Sequence, residues 1–208
     1  MTHIANKSIS TGIFPERLKY SIVNPVYKKG DKTSPANYRP ISLLTAFSKV
    51  LEKVLYNRLI GFLDNNNLLN PQQFRFRKKL STDDAIYKLT HEILTALNNK
   101  EIVGSIFFYL SKAFDSVDHT VLTNKLPHYG ITGKTKCLIG SYLTDRFQSA
   151  QLNHTSLELK TTSEWTKIKH GIPQGSSSDP FYLYYILMTF QNHYLVITFQ
   201  YYSQTIQV

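Results

Sequence analysis

Residues 106–119 read IFFYLSKAFDSVDH, an apolar and aromatic run that turns polar at Ser111. Such a run reads as a buried strand feeding a loop and a helix start. A carboxylate at the end of a strand of this kind is a place to hold magnesium for phosphoryl transfer. Position 109, near the end of that run, carries a tyrosine, which offers a phenol and no carboxylate. Asp115 and Asp118 follow, but they fall in the turn and helix beyond the strand end. Magnesium demands near-ideal octahedral geometry, so they are not expected to replace a ligand at 109, and no metal ligand set is assigned.

A second chemistry is carried by cations. Lys28, Lys29, Arg39, Arg77, Lys78 and Lys79 make a basic track suited to a phosphate backbone. Lys and Arg number 24 against 14 Asp and Glu, a net charge of +10 in 208 residues. That balance favours a polyanionic partner such as nucleic acid, because neutralised phosphates release counterions. An ordinary solvated basic surface accounts for the charge equally well. The single cysteine, Cys137, excludes an internal disulfide and is expected in the core of an apolar helical stretch. The start, MTHIANKSIS, lacks the apolar run of a secretory signal, so the expected location is intracellular, in cytoplasm or nucleus. From Phe181 to Val208 there is no charged residue, yet Gln191, Asn192, His193, Gln200, Gln204 and Gln207 argue against a membrane span.

These groups must be positioned by a small set of elements. Alternating apolar residues around Ile22–Tyr27, a basic turn at Lys28–Lys32 and a loop with Pro35 and Pro40 read as a strand or hairpin leading into a helix. From Leu43 the residues Phe47, Val50, Leu51, Val54, Leu55 and Leu59 recur at helical spacing, and the run stops at Asn65–Asn67. Ser81 with Asp84 offers a capping pair for a helix over 82–98. A short helix is expected near 119–126 and another across Leu138, Ile139, Tyr142 and Leu143. Phe147–Leu152 and Leu157–Ile168 read as a strand pair. Helices and strands interleave without a regular βαβ repeat, which gives an α+β fold class.

Four blocks then resemble, in order, the reverse transcriptases of non-LTR (LINE, jockey-like) retrotransposons. The blocks are PVYKKGD with NYRPISLL at 25–44, QQFRFRKKLSTDDAI at 72–86, the opening motif, and HGIPQGS at 170–176. The family wording of the opening motif is close to F-L-D-L-S-K-A-F-D-x-V-D-H, and only its metal-binding aspartate is replaced, by Tyr109. One base change makes that replacement. The resemblance implies a right-hand polymerase layout: a fingers-like region over 1–100, a partial palm over 101–176, an aberrant tail over 177–208, and no thumb. It implies an RNA template and a DNA primer as partners, and Mg2+, with Mn2+ possible, as the family's cofactor. By the same resemblance Arg39 lies along the template, Arg77 grips the triphosphate, Phe114 sits under the sugar and excludes a 2′-hydroxyl, and Gln174 packs against nucleotide and template base. Arg75 stands where the family has glycine.

The family's second metal-binding turn, F-A-D-D or Y-x-D-D, is missing from this chain. When the last base of each codon is joined to the first two of the next, Asp179–Leu195 permits P-L-L-F-I-L-Y-F-N-D-F-S-K-S-L and Gln200–Val208 permits I-L-F-A-D-D-T-S. Both strings match what the family carries after P-Q-G-S. The expectation is a net one-base deletion near Ser176–Ser178, with the tail translated out of frame. The chain is therefore expected to be inactive in two-metal nucleotidyl transfer. The alternatives are a non-catalytic nucleic-acid-binding remnant and a pseudogene product without a role.

Overall fold

The structure, a computed structural model, describes residues 1–74, 77, 79–104, 112, 114–154 and 159–175. The described residues divide into two compact units. One contains Met1–Leu68 and the described residues from Lys112 to Gly175, the other the described residues from Leu69 to Gly104.

The first unit is built on a sheet. β1 (Tyr20–Tyr27) and β2 (Tyr38–Leu43) form an antiparallel hairpin in which Pro25 faces Pro40. β1 then pairs in parallel with β3 (Phe147–His154), which pairs antiparallel with β4 (Leu159–Thr162) and β5 (Thr166–Lys167). The strand order is β2-β1-β3-β4, with β5 on β3. The expected second strand, 157–168, is thus two short strands separated by the Ser163–Trp165 stretch. The parallel β1–β3 pair joins segments more than a hundred residues apart, which requires a long crossover.

The helices of this unit supply the core. α1 (Thr2–Thr11) ends at Gly12, whose φ of 73° lets its N–H reach the Ser8 carbonyl. Its sequence is polar, and no helix was expected there; α1 packs on α5 (Gly133–Leu143). α2 (Ala46–Asn65) starts at Thr45, whose side chain accepts from the Ser48 N–H. It runs to the asparagine cluster as the spacing predicts. Its buried stripe differs from the expected one: Phe47 is 60% and Val50 49% exposed, and Leu43 belongs to β2. The stripe is Ser48, Leu51, Glu52, Leu59 and Leu63. Two polar residues are tolerated in it because Glu52 Oε1 accepts from the Ser48 hydroxyl at 3.0 Å and from the Tyr142 phenol at 3.2 Å.

Tyr142 is also the hinge of the surrounding packing. Its ring meets Phe14 edge-on at 4.9 Å, and the Arg146 guanidinium lies over it at 4.5 Å. Arg146, only 1% exposed, donates from Nη1 to the Tyr142 carbonyl at the C-terminus of α5, where a cation meets the helix dipole favourably. Leu138, Ile139, Tyr142 and Leu143 are all buried, as their spacing predicts. Cys137 corrects the sequence reading: it is exposed, since it lies on the face of α5 opposite that set. α4 (His119–Lys125) completes the unit, close to the expected 119–126.

The second unit holds α3 (Thr82–Asn98), whose bounds match the expected helix. Ser81 accepts from the Asp84 N–H while the Asp84 carboxylate accepts from the Ser81 N–H, a full capping box. Capping and turn bonds hold four aspartates below the usual carboxylate range. Asp31 is lowered by the Thr33 N–H and hydroxyl, Asp84 by the Ser81 hydroxyl and N–H, Asp118 by the Val121 N–H, and Asp145 by Lys167 at 2.6 Å. Folded values below the unfolded value of about 3.9 stabilise the chain fully above that pH, and the contribution is lost as pH falls through the folded values. The melting temperature is therefore expected to fall once the pH drops below about 4, less steeply in Asp84→Asn and Asp118→Asn; a melting temperature that rises on acidification contradicts the assignment.

Candidate nucleotide and nucleic-acid site

Two expected site residues, Phe114 and Gln174, are brought into one substructure. The turn Lys112–Val117 is closed by the Asp115 and Ser116 N–H groups on the Lys112 carbonyl. Against it lies the loop Gly171–Gly175. The Ile172 N–H donates to the Phe114 carbonyl at 2.9 Å and the Gly171 N–H to the Val117 carbonyl at 2.8 Å. His119 Nε2 contacts the Gly171 carbonyl at 2.6 Å; a carbonyl only accepts, so this nitrogen carries the proton. On its other side the loop joins β2, through the Ser42 N–H on the Gln174 carbonyl at 2.7 Å and a parallel bridge between Ile41 and Gln174.

The sequence permits this crowding because glycine stands at both bends. Gly171 has φ of 81°, and a Cβ there would lie 2.9 Å from the Asp115 Cα and carbonyl oxygen. Gly175 has φ of 94°, and a Cβ there would lie 3.3 Å from the Ile41 side chain and the Ser42 carbonyl oxygen. Within the clamp the Gln174 carboxamide donates from Nε2 to Asp115 Oδ1 at 2.9 Å. Asp118 is the N-cap of α4, accepting from the Thr120 and Val121 N–H groups at 2.8 and 2.9 Å. The His119 and Asp115 contacts span 52 and 59 residues of sequence, and no local pattern announces either.

Lys28, Lys29 and Arg39 sit together on the β1–β2 hairpin, all exposed. The hairpin tip is fastened from within: the Lys28 N–H reaches the Asn37 carbonyl, Asn37 Nδ2 reaches the Asp31 carbonyl, and the Tyr38 phenol reaches the Lys32 carbonyl. Tyr27 and Tyr38 meet edge-to-face at 5.6 Å, with Lys32 Nζ 5.7 Å from the Tyr27 ring centroid. The cations thus project from a fixed frame. Lys32 joins them, a residue that sequence reading placed in the basic turn but not among the binding residues.

Arg77 belongs to the second unit, where Nη1 donates to the Asn70 carbonyl at 2.9 Å. Lys79 is exposed at φ of 63°. Lys78, Arg75, Tyr109 and the whole tail over 177–208 lie outside the described residues.

A family model described as reverse transcriptase (RNA-dependent DNA polymerase) matches residues 26–202. The chain belongs to this reverse transcriptase family. It is 33% identical over 185 residues to the probable RNA-directed DNA polymerase from transposon BS of Drosophila melanogaster, covering 85% of this chain and 19% of that protein. It is 30% identical over 187 residues to the corresponding protein of transposon X-element, covering 86% and 19%. To the RNA-directed DNA polymerase from mobile element jockey it is 28% identical over 178 residues, covering 85% and 19%. The resemblance to non-LTR retrotransposon enzymes read from the four blocks is borne out, and the chain spans about a fifth of these relatives' length.

Reverse transcriptases use divalent metal ions, and position 109, where the family wording has its metal-binding aspartate, lies outside the described residues. No group of three or more His, Cys, Asp or Glu among them is arranged to hold a metal. Asp115 is bound to Gln174 and Asp118 to two backbone N–H groups. Among the described residues no helix is long and apolar enough to cross a membrane.

The clamp gives a direct expectation. Gly171→Ala places a left-handed backbone on a residue with a Cβ, at about 1–3 kcal/mol, before any clash with Asp115. Gly61→Ala, in α2 with nothing within 4 Å of the new Cβ, is expected to stabilise by up to about 1 kcal/mol. Chemical denaturation of the two variants checks this, and equal midpoints would show that the clamp carries no strain-sensitive contact.

Proposed function

We propose that this chain is a reverse transcriptase domain that has lost nucleotidyl transfer and keeps a basic surface for single-stranded nucleic acid. The observation that supports the reading is Tyr109 at the position of the family's metal-binding aspartate, in a sequence that carries no F-A-D-D turn. Transfer of a dNTP to a primer 3′-hydroxyl in this family depends on carboxylates that hold two metal ions. A phenol, neutral up to a pH of about 10, does not supply that charge. Arg77, Phe114 and Gln174 remain as nucleotide-contacting residues. In the proposed layout residues 1–100 are fingers-like, 101–176 are a partial palm, and 177–208 are translated out of frame. Sequencing the locus checks the last point, since an in-frame tail with no displaced F-A-D-D removes it.

Binding rests on the fixed hairpin. Lys28, Lys29, Lys32 and Arg39 are exposed on a frame with its own hydrogen bonds, so little side-chain scaffolding must be ordered when phosphate is met. The template RNA and the primer of the family are the natural ligands of such a track, with contacts to phosphate that carry no sequence information. Affinity for an unstructured RNA oligonucleotide is expected to fall steeply with salt and to vary little with sequence. Each single-strand phosphate contact contributes about 0.7 to the slope of log affinity against log salt, so the double variant Lys28→Gln, Lys29→Gln should flatten it by roughly 1.4. A slope identical to wild type, or no binding at low salt, would overturn the reading.

A further inference from the structure

We infer that Asp115 is a positioning residue that fixes which end of the Gln174 carboxamide is offered to a ligand, so that this position selects a group that donates a hydrogen bond. The inference rests on the reading of Gln174 as a nucleotide-contacting residue.

A carboxylate is an acceptor only, so of the two ends of the carboxamide it is Nε2 that must face Asp115 Oδ1, 2.9 Å away. Oε1 is then the end left over, and among the described residues it accepts no hydrogen bond. Gln174 is only partly buried, which leaves that oxygen able to meet a ligand. The backbone cannot relax the arrangement. The Gln174 carbonyl is held by the Ser42 N–H, and Gly175 lies against Ile41 and Ser42. The turn that carries Asp115 is tied to the same loop by the Ile172, Gly171 and His119 contacts. With both backbones fixed, the orientation of the amide is decided by the one side chain opposite it.

The chemical class follows. An acceptor favours a sugar hydroxyl or an exocyclic amino group and disfavours a ligand whose matching group is an ether, a hydrogen or a carbonyl. A site that meets its partner through one hydrogen bond distinguishes ligands by roughly three- to tenfold. In Asp115→Asn the new amide can donate as well as accept, so the Gln174 carboxamide is released to turn over and the preference should disappear. That variant alters one exposed side chain with a single hydrogen bond and should keep the fold.

The test uses the full chain and two probes, thymidine 5′-triphosphate and its 3′-deoxy analogue, which lacks the sugar O–H donor. Wild type should bind the first roughly three- to tenfold more tightly, and Asp115→Asn should bind both alike. Gln174→Leu should also bind both alike. In 15N-labelled protein the side-chain NH2 signals of Gln174, identified by their loss in Gln174→Leu, should move in Asp115→Asn while the backbone signals of Ser42 and Ile172 stay in place. Unmoved NH2 signals, or a preference kept in Asp115→Asn, overturn the inference. If wild type binds neither probe, the nucleotide reading of this site fails, and the NH2 signals alone decide whether Asp115 positions Gln174.

Discussion

The structure of the first unit turns on the loop Gly171–Gly175, which is held between β2 on one side and the Lys112–Val117 turn on the other. Hydrogen bonds on backbone and histidine atoms and one on the Gln174 amide converge on a segment with a left-handed glycine at each end. Three stretches far apart in sequence are thereby joined: the hairpin that presents Lys28, Lys29 and Arg39, the segment that carries Phe114, Asp115 and the Asp118 cap of α4, and the loop itself. Because such contacts are non-local, their closure entropy must be offset by the core beneath them, and the Phe14–Tyr142–Arg146 stack with Glu52 supplies part of it.

The residues that make this arrangement are distinct from position 109, on which the proposed loss of transfer rests. Asp118 caps α4 and Asp115 accepts from the Gln174 amide. The tip of the basic hairpin has its own frame, made by Asn37, Tyr38 and the turn at Asp31.

How much of this could be read in the sequence depended on range. α3 was legible to the residue because a capping box and asparagine terminator are local signals. The α5 core set was legible because four apolar residues share one helical face. The α2 stripe was misjudged because Glu52 and Ser48 are buried through a bond to Tyr142, ninety residues away, which turns Phe47 and Val50 outward. α1 was missed because its polar sequence has no apolar period, and the exposure of Cys137 was missed because the helix it shares is apolar on average. Of the site, Phe114 and Gln174 were named from family wording and are placed beside one loop, whereas their partners Asp115 and His119 needed coordinates. Arg77 lies in the other unit, engaged with the Asn70 carbonyl.

The proposed loss of nucleotidyl transfer rests on several independent features of the sequence, among which Tyr109 is one. Primer extension on an RNA template by Tyr109→Asp, with Mg2+ or Mn2+ and labelled dNTP, tests it most directly. The account predicts no incorporation above the wild-type background, because restoring one carboxylate leaves Arg75 where the family has glycine and supplies no F-A-D-D turn. Template-dependent extension by this single variant would contradict it.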